Sequence, residues 1–278
     1  YPLRRQRQMC IRDRCGTDRQ GMKEVVIIGS GNLAEALART VAGSATLRLR
    51  QIWARNAARG EAISRLTGAP RSSEPDRLAQ AECYLLAVSD RAVGEVAARL
   101  PIPPDAAVVH TAGAVSMDTL PFARRGVLYP LQTFTAGREV DFRRVPLFVE
   151  ASSPDLLAEL EEAAGALSDT VLRAGSAERA RLHLAAVFAC NFVNHLYALG
   201  AEALAPTGLP FDVLKPLIRE TAGKALAAAS PAEAQTGPAV RGDRETLRRH
   251  LEIIGGDARL KTIYELLSED IWEISKKI

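Results

Sequence analysis

Residues 25–38 read VVIIGSGNLAEALA, where four β-branched residues run into Gly-Ser-Gly and a helix-forming segment follows at once. This order predicts a buried strand, a tight turn and a helix, the arrangement that opens a βαβ unit. The turn fits the pattern G-x-G-x-x-A, in which the second glycine lets a pyrophosphate approach the backbone at the helix N-terminus. We therefore expect a dinucleotide to bind at Gly29, Ser30, Gly31, Asn32, Leu33 and Ala34.

Short apolar runs alternate with helical segments from residue 22 to about residue 175. The pattern predicts strands at 24–29, 47–56, 83–90, 106–113 and 170–175, shorter elements at 126–134 and 145–151, and a helix capped by Ser153 with Pro154 in its first turn. Strands that alternate with helices indicate a parallel sheet. From about residue 177 onward only helices are predicted. The expected fold class is α/β, with a Rossmann-type parallel sheet over 22–175 and an all-helical C-terminal domain over 176–278 for substrate binding and dimerisation.

The first predicted helix of the C-terminal domain, residues 177–205, is apolar on most sides. We expect such a helix to be buried, either in its own domain or against a partner subunit. No uninterrupted apolar stretch reaches about 18 residues, which argues against a membrane span.

Composition limits the classes of partner. The first 21 residues hold six Arg and two Asp, so the net charge of +3 becomes −1 for residues 22–278, which offers no footprint for nucleic acid. We expect residues 1–21 to be a non-native or disordered tail, with a transit peptide or basic tail as the alternative. Cys83 and Cys190 lie in apolar surroundings, which suits buried thiols in a reducing cytoplasm, and no residues show the spacing of a metal site.

The end of the second predicted strand indicates which dinucleotide binds. An NAD site places Asp or Glu there to accept from the ribose 2′-hydroxyl. This sequence instead has Arg55 and Asn56, with Arg59 one turn later and no carboxylate. Two guanidinium groups suit a 2′-phosphate, so NADP is favoured over NAD. The alternative is that both arginines are solvated residues at the start of a helix.

Two later strands end in small and polar residues, which in an open parallel sheet line the ligand crevice. We expect these loops to hold the ribose and the nicotinamide, and the residues are Ala87, Val88, Ser89, Asp90, His110, Thr111 and Ala112. His110 could also act as an acid toward the substrate, although an isolated histidine at a strand end is often a hydrogen-bonded structural residue.

Several segments together resemble one family: VVIIGSGNLAEALA, HTAGAVSMDTL, YPLQTFT, RLHLAAVFACNFVNHLYALGAEAL and AQTGPAVRGDRETLRRHL. It is the family of Rossmann-like proteins with the domain of unknown function 2520, often named NADP oxidoreductases, and the resemblance covers essentially all of 22–278. The architecture also resembles pyrroline-5-carboxylate reductase and the F420-dependent NADP oxidoreductases. The resemblance implies NADP binding and a homodimer formed through the helical domain. Many relatives carry His at the position of Tyr129, and this departure argues against a general-acid role there, although Tyr can also donate a proton.

The helical half and the end of the sheet supply candidates for substrate chemistry. Asn191, a candidate catalytic residue, and Asn194 share a helix face and either bind substrate or make hydrogen bonds between helices or subunits. Lys224 could protonate an alkoxide or imine if it is partly buried, and is otherwise solvated. Arg241 could hold a substrate carboxylate, while Asp243 is expected to cap the helix that follows. The remaining residues expected to bind substrate are Gln132, Thr133, Gln235 and Thr236.

Hydride transfer requires no protein nucleophile, because the cofactor carries that chemistry. The sequence therefore predicts a cytoplasmic NADPH-dependent oxidoreductase that reduces a small C=O or C=N compound, with a carboxylate-bearing substrate mildly favoured by Arg241. One alternative is a non-catalytic NADP-binding sensor or interaction protein. Another is hydride exchange with a flavin-like carrier.

Overall fold

The structure is a computed structural model that describes residues 22–277. The chain divides into two compact units, an α/β unit that ends at Val187 and a helical unit that begins at Phe188. The tail expected at residues 1–21 lies outside the described residues. The domain boundary expected between residues 175 and 176 coincides with the start of the helix Ser176–Ala186, all eleven residues of which belong to the α/β unit.

Over the described residues, the α/β unit contains one eight-stranded sheet with the strand order β3-β2-β1-β4-β5-β6-β7-β8. The strands are β1 (Glu24–Ile28), β2 (Arg48–Trp53), β3 (Arg71–Ser72), β4 (Cys83–Leu86), β5 (Ala107–His110), β6 (Arg125–Pro130), β7 (Leu147–Ala151) and β8 (Val171–Arg173). The predicted Rossmann-type α/β class is therefore confirmed. The strand order reverses between β1 and β4, which is where open α/β sheets bind their ligands.

Strand β7 departs from the expected parallel sheet, because it pairs with β6 in the antiparallel direction. The segment between β6 and β7 contains no α-helix that would carry the chain back across the sheet, and a parallel return requires such a crossover. The next pair, β7 with β8, is parallel and is joined by a helix. The two-residue strand β3 was not predicted.

Helices cover both faces of the sheet in the α/β unit and are the only regular elements among the described residues of the helical unit. They are α1 (Asn32–Ala42), α2 (Ala57–Thr67), α3 (Val93–Arg99), α4 (Pro154–Leu167), α5 (Ser176–Ala186), α6 (Val193–Leu204), α7 (Lys215–Ala227), α8 (Arg244–Ile254) and α9 (Ala258–Ser275), with a π-helical segment at Val187–Phe192 between α5 and α6. The predicted caps are confirmed. Ser153 accepts from the backbone N–H of Leu156 at 3.2 Å, and Asp243 accepts from that of Thr246 at 3.0 Å.

The core of the α/β unit lies on both faces of the sheet, as the continuous apolar strands require. Val25 and Ile27 of β1 pack on one face with helices α1, α2 and α4, while Val26 and Ile28 pack on the other with α3. The carboxyl ends of the strands are therefore held by packing on two sides, which fixes the loops that follow them.

The helical stretch that starts at Ser176 is largely exposed in the single chain, so its expected burial in its own domain is wrong, while burial against a partner subunit stays a prediction. Over Ser176–Thr207 it is long and apolar enough, by length and composition alone, to cross a membrane, with a mean hydropathy of 1.4 and only 6% of its most apolar window buried. One such helix is weak evidence for a membrane span, because core helices of soluble proteins pass the same test. Cys190 in this stretch is exposed, contrary to the prediction, whereas Cys83 is buried, and both are free thiols.

Candidate cofactor and active site

The glycine turn after β1 is shaped by the neighbouring strand. Gly29 has a φ of +136°, and a Cβ placed on it would lie 2.2 Å from the carbonyl oxygen of Ala87. Its N–H donates to the carbonyl of Trp53 at 2.9 Å. Only glycine combines this backbone conformation with this close approach. The first glycine of the motif therefore serves the fold.

The second glycine has a different surrounding. Gly31 is the N-cap of α1 with a φ of −73°, which any residue adopts, and a Cβ placed on it would meet no protein atom within 4 Å. The protein itself therefore does not require glycine here. The open space lies at the start of an eleven-residue helix, whose first backbone N–H groups lack helical partners and favour an anion. These features fit the pyrophosphate of a dinucleotide.

A cleft of about 440 Å³ extends from this turn along the carboxyl ends of β1, β2 and β4, at the reversal in strand order. Within residues 22–277, Arg55 is the only charged residue that lines it. The lining residues are Gly29, Ser30, Gly31, Asn32, Leu33, Trp53, Arg55, Asn56, Ala87, Val88, Ser89, Ala92 and Val96. The structure thus brings most of the residues predicted to bind cofactor into one cleft.

The two predicted 2′-phosphate arginines occupy different places. Arg55 lines the cleft, whereas the Arg59 guanidinium pairs with the Glu35 carboxylate at 3.1 Å and donates to the carbonyl of Ser30 at 3.2 Å. Arg59 therefore ties helix α2 to the glycine turn and does not line the cleft. Asn56 lines the cleft and also caps α2 by accepting from the backbone N–H of Arg59 at 3.0 Å.

Residues at the carboxyl end of β5 and just after it fix the following loop by hydrogen bonds. Thr111 donates its hydroxyl to the carbonyl of Leu86 at 3.2 Å, and Nδ1 of His110 accepts from the N–H of Ala112 at 3.2 Å. His110 is fully buried. Burial, and then the nearby Arg179 charge, lower the pKa of His110 to about 4, so the ring is neutral near pH 7. Its role as a proton donor stays a prediction, and this burial disfavours it.

A buried ion pair fixes the same loop from the side of helix α5. Arg179 is 0% exposed and pairs with the Glu150 carboxylate of β7 at 2.5 Å. The same guanidinium donates to the carbonyls of Ala112 at 3.2 Å and Val115 at 2.6 Å. The Ser176 hydroxyl completes the cluster by donating to Glu150 at 2.9 Å. Sequence reasoning did not identify these residues, because no local pattern links positions that meet only in the folded sheet.

A second pair of polar side chains lies at the end of β6. The Tyr129 hydroxyl is 3.2 Å from Nδ1 of His183 on α5. Gln132 and Thr133, predicted to bind substrate, follow β6 as exposed residues, and the Gln132 side chain accepts from the N–H of Thr133 at 2.8 Å. The sequence offered no signal that Tyr129 and His183 would meet.

The other predicted substrate residues belong to the helical unit. Asn191 lies in the π-helical segment and Asn194 in α6, and both are exposed. Lys224 on α7 pairs with Glu220 at 3.2 Å and is half-exposed. The loop residues Gln235, Thr236 and Arg241 are exposed. Their roles stay predictions.

The sheet order and the glycine turn define a Rossmann-type protein. A Rossmann-like domain matches residues 9–134, and a Domain of unknown function (DUF2520) matches residues 145–271. A solved structure from Bacteroides fragilis, described as a putative NADP oxidoreductase, is 39% identical, with 91% of this chain and 98% of that chain covered and a TM-score of 0.84. The chain therefore belongs to the family of Rossmann-like proteins that carry the DUF2520 domain. Comparison with curated proteins finds no match.

Two further solved structures share the fold at lower identity. A 1-pyrroline-5-carboxylate reductase from Streptococcus pyogenes is 15% identical with a TM-score of 0.59, covering 90% of this chain and 98% of that chain. A reductive aminase from Aspergillus terreus, solved with NADPH and ethyl-5-oxohexanoate, is 14% identical with a TM-score of 0.68, covering 92% and 98%. At these identities the likeness shows the fold alone, although both proteins are reducing enzymes by name.

Proposed function

We propose that the protein is an NADP-dependent oxidoreductase that reduces a small C=O or C=N compound. The observation that carries the proposal is the cleft at the strand reversal, where an open glycine cradle at the start of α1 and a single arginine face the same space. When bound, NADPH supplies the hydride. The protein then has to hold the cofactor, position the substrate and provide one proton.

The choice of NADPH over NADH rests on the charge of the cleft. Among the described residues, Arg55 is the only charged one that lines it, and none of them places a carboxylate there to accept from a ribose 2′-hydroxyl. A guanidinium can hold a 2′-phosphate through two parallel hydrogen bonds. The names of the B. fragilis relative and of the reductive aminase solved with NADPH support the same cofactor.

The substrate class is supported by the proteins that share the fold, since one is named for a cyclic imine carboxylate and another for reductive amination. A C=N compound is therefore the first class to test, with a small ketone as the second. Arg241 is exposed, so its guanidinium is accessible to a carboxylate on the substrate. We therefore include carboxylate-bearing compounds in the proposed substrate class.

Replacing Arg55 with Ala is expected to weaken NADPH binding by about 10- to 100-fold, because one charge-assisted contact contributes roughly 1.5–3 kcal/mol. NADH binding should not change. Isothermal titration of both cofactors into the wild-type protein and the variant measures the effect. The matched control is Arg50→Ala, which removes a half-exposed arginine from the same strand, β2, outside the cleft. Equal affinity of the wild-type protein for the two cofactors would contradict the NADP assignment, and binding of neither would contradict the cofactor site.

We also propose that the helical unit forms a homodimer interface. Among its described residues only Leu199 and Ala239 are buried apolar residues, whereas twelve large apolar side chains are exposed, compared with three in the described part of the α/β unit. Phe188 and Phe192 are exposed by 62% and 49% and contact each other edge to face. Apolar patches of this kind mark interaction sites, and obligate homodimers bury large apolar areas. Arg248 on α8 forms exposed ion pairs with Glu245 and Glu252. Such charges are unfavourable in lipid, which favours a second copy of the chain as the partner that covers the exposed apolar side chains.

Replacing Phe188 with Asp is expected to shift the protein from dimer to monomer or to render it insoluble, since the buried charge would have no partner. Light scattering coupled to size-exclusion chromatography measures the mass. Leu66→Asp is the control, because Leu66 on α2 is 51% exposed in the α/β unit. A monomeric wild-type protein, or one that requires detergent or vesicles to stay in solution, would overturn the dimer. Cytoplasmic localisation stays a prediction.

A further inference from the structure

Tyr129 and His183 form a polar pair at the carboxyl edge of the sheet. The Tyr129 ring packs on Phe148, with ring centroids 6.4 Å apart, and meets the His183 ring edge to face at 6.2 Å. The hydroxyl lies 3.2 Å from Nδ1 of His183. Tyr129 is 7% exposed and His183 is partly exposed. The phenol is thus held in one orientation by a residue that reaches solvent.

The register of the sheet places this pair beside the predicted nicotinamide loops. Val127 of β6 pairs in parallel with His110, so Tyr129 lies two residues beyond the end of β5, next to the loop that begins at Thr111. A Cβ placed on Gly113 would lie 2.8 Å from Nδ1 of His183 and 3.0 Å from the Tyr129 ring. The backbone of that loop therefore packs directly against both side chains.

A third strand-end loop is also near. Burial raises the pKa of Tyr129, and the negative charge of Asp90 raises it further, while Arg179 lowers it. Asp90 belongs to the loop after β4, whose residues Ala87, Val88 and Ser89 line the cofactor cleft. The phenol consequently keeps its proton near neutral pH and lies within electrostatic reach of Asp90, the residue that follows the cleft-lining Ser89.

We propose that the Tyr129 hydroxyl is the proton donor to the reduced substrate and that His183 returns the proton to it; this inference rests on the proposed function. The substrate carbon gains the hydride, and the electron pair of the C=O or C=N bond moves onto the heteroatom. That atom takes the proton of Tyr129, the phenolate takes a proton from His183, and His183 regains one from the solvent, so each turnover consumes one solvent proton. Each double bond that is reduced therefore gains one hydride, supplied by NADPH, and one proton.

The other candidates for this role are placed less well. His110 is 0% exposed, and its Nδ1 already accepts from the backbone N–H of Ala112. Lys224 belongs to the helical unit and is held in a half-exposed ion pair with Glu220. Tyr129 combines an ionisable O–H, a basic partner at hydrogen-bond distance and a position at the ligand edge of the sheet.

The test compares Tyr129→Phe and His183→Gln with the wild-type protein. The helical unit provides matched controls, because the Tyr264 hydroxyl lies 2.6 Å from Nδ1 of His250 in a second Tyr–His pair. Tyr264→Phe and His250→Gln make the same chemical changes there. The probes are 2-methyl-1-pyrroline as a cyclic imine and ethyl levulinate as a ketone. NADPH affinity is measured by titration, and turnover is followed by the loss of NADPH absorbance across a range of pH.

We expect Tyr129→Phe to lower kcat by about 100- to 10,000-fold, the usual effect of a lost general acid, with NADPH affinity unchanged. His183→Gln, which keeps a hydrogen-bonding group, should lower kcat less and shift the pH profile of kcat. The controls should match the wild-type protein. If the wild-type protein reduces a probe and the Tyr129 and His183 variants do so equally well, the proton-donor assignment is wrong and the proposed function stands. If the wild-type protein binds no NADPH, or binds it and reduces neither probe, the proposed function fails and the assignment fails with it.

Discussion

Replacing Arg179 with Met is expected to lower the free energy of unfolding by about 3–5 kcal/mol, the usual cost of removing one partner of a buried ion pair. Arg179 is 0% exposed, and the change removes the charged partner of Glu150, which keeps its contacts with Ser176, and takes the guanidinium donor away from the carbonyls of Ala112 and Val115. Because a buried acceptor without a partner keeps its full desolvation cost, the loss exceeds that of one hydrogen bond. Urea denaturation followed by circular dichroism measures it.

The same change should also disturb the cofactor site, because Arg179 fixes the loop after β5 by two carbonyl contacts. The control is Arg173→Met, which breaks the bidentate surface ion pair between Arg173 and Glu161, with N···O distances of 2.6 and 2.9 Å. A surface pair contributes far less, so that variant should unfold nearly as the wild-type protein does. The double variant Arg179→Met with Glu150→Gln should be less unstable than the sum of the single variants. An Arg179 variant no less stable than the Arg173 variant would contradict the structural role assigned to this pair.

The buried contacts of Arg179 show which features of this fold cannot be predicted from the sequence. The glycine turn, the polar ends of β4 and β5, and the caps at Ser153 and Asp243 are local patterns, and local patterns fix local backbone geometry. Arg179 and Glu150 are 29 residues apart and Arg179 and Ala112 are 67 apart, so only the assembled sheet brings them together. Tyr129 and His183 meet across 54 residues for the same reason.

The arginines after β2 show a second limit. Arg55 and Arg59 are four residues apart and look equivalent in the sequence, but Glu35 of α1 neutralises one and leaves the other in the cleft. The carboxylate that makes the two arginines different belongs to another helix, so the sequence around Arg55 and Arg59 does not reveal it. In the helix that begins at Ser176 the pattern correctly shows an apolar surface, but it does not reveal what covers that surface. Burial in the helix's own domain is wrong, and burial against a partner subunit stays a prediction. Likewise, the antiparallel β7 follows from a connection without a helix, which the alternation of elements upstream did not reveal.

Replacing Gly31 with Glu is expected to weaken NADPH binding on the order of 100-fold, equivalent to about 2.7 kcal/mol, without loss of stability. The backbone at Gly31 is extended, and its Cβ direction is free of protein atoms within 4 Å, so the fold accepts the new side chain. The carboxylate enters the space where the amides at the start of α1 would hold a phosphate, and it both repels that phosphate and occupies its donors. Titration of NADPH and thermal unfolding measure the two effects separately.

Gly29→Ala is the informative contrast, because the two glycines of one motif are required for different reasons. A Cβ on Gly29 would lie 2.2 Å from the Ala87 carbonyl oxygen in a left-handed backbone region, so this variant should lower the melting temperature even without ligand. Gly31→Glu should leave the melting temperature equal to that of the wild-type protein or raise it, since an acidic group at a helix N-terminus is favourable. If Gly31→Glu binds NADPH as well as the wild-type protein, the open space at Gly31 is not a phosphate cradle. The glycine there would then have no role that the fold or the cofactor explains.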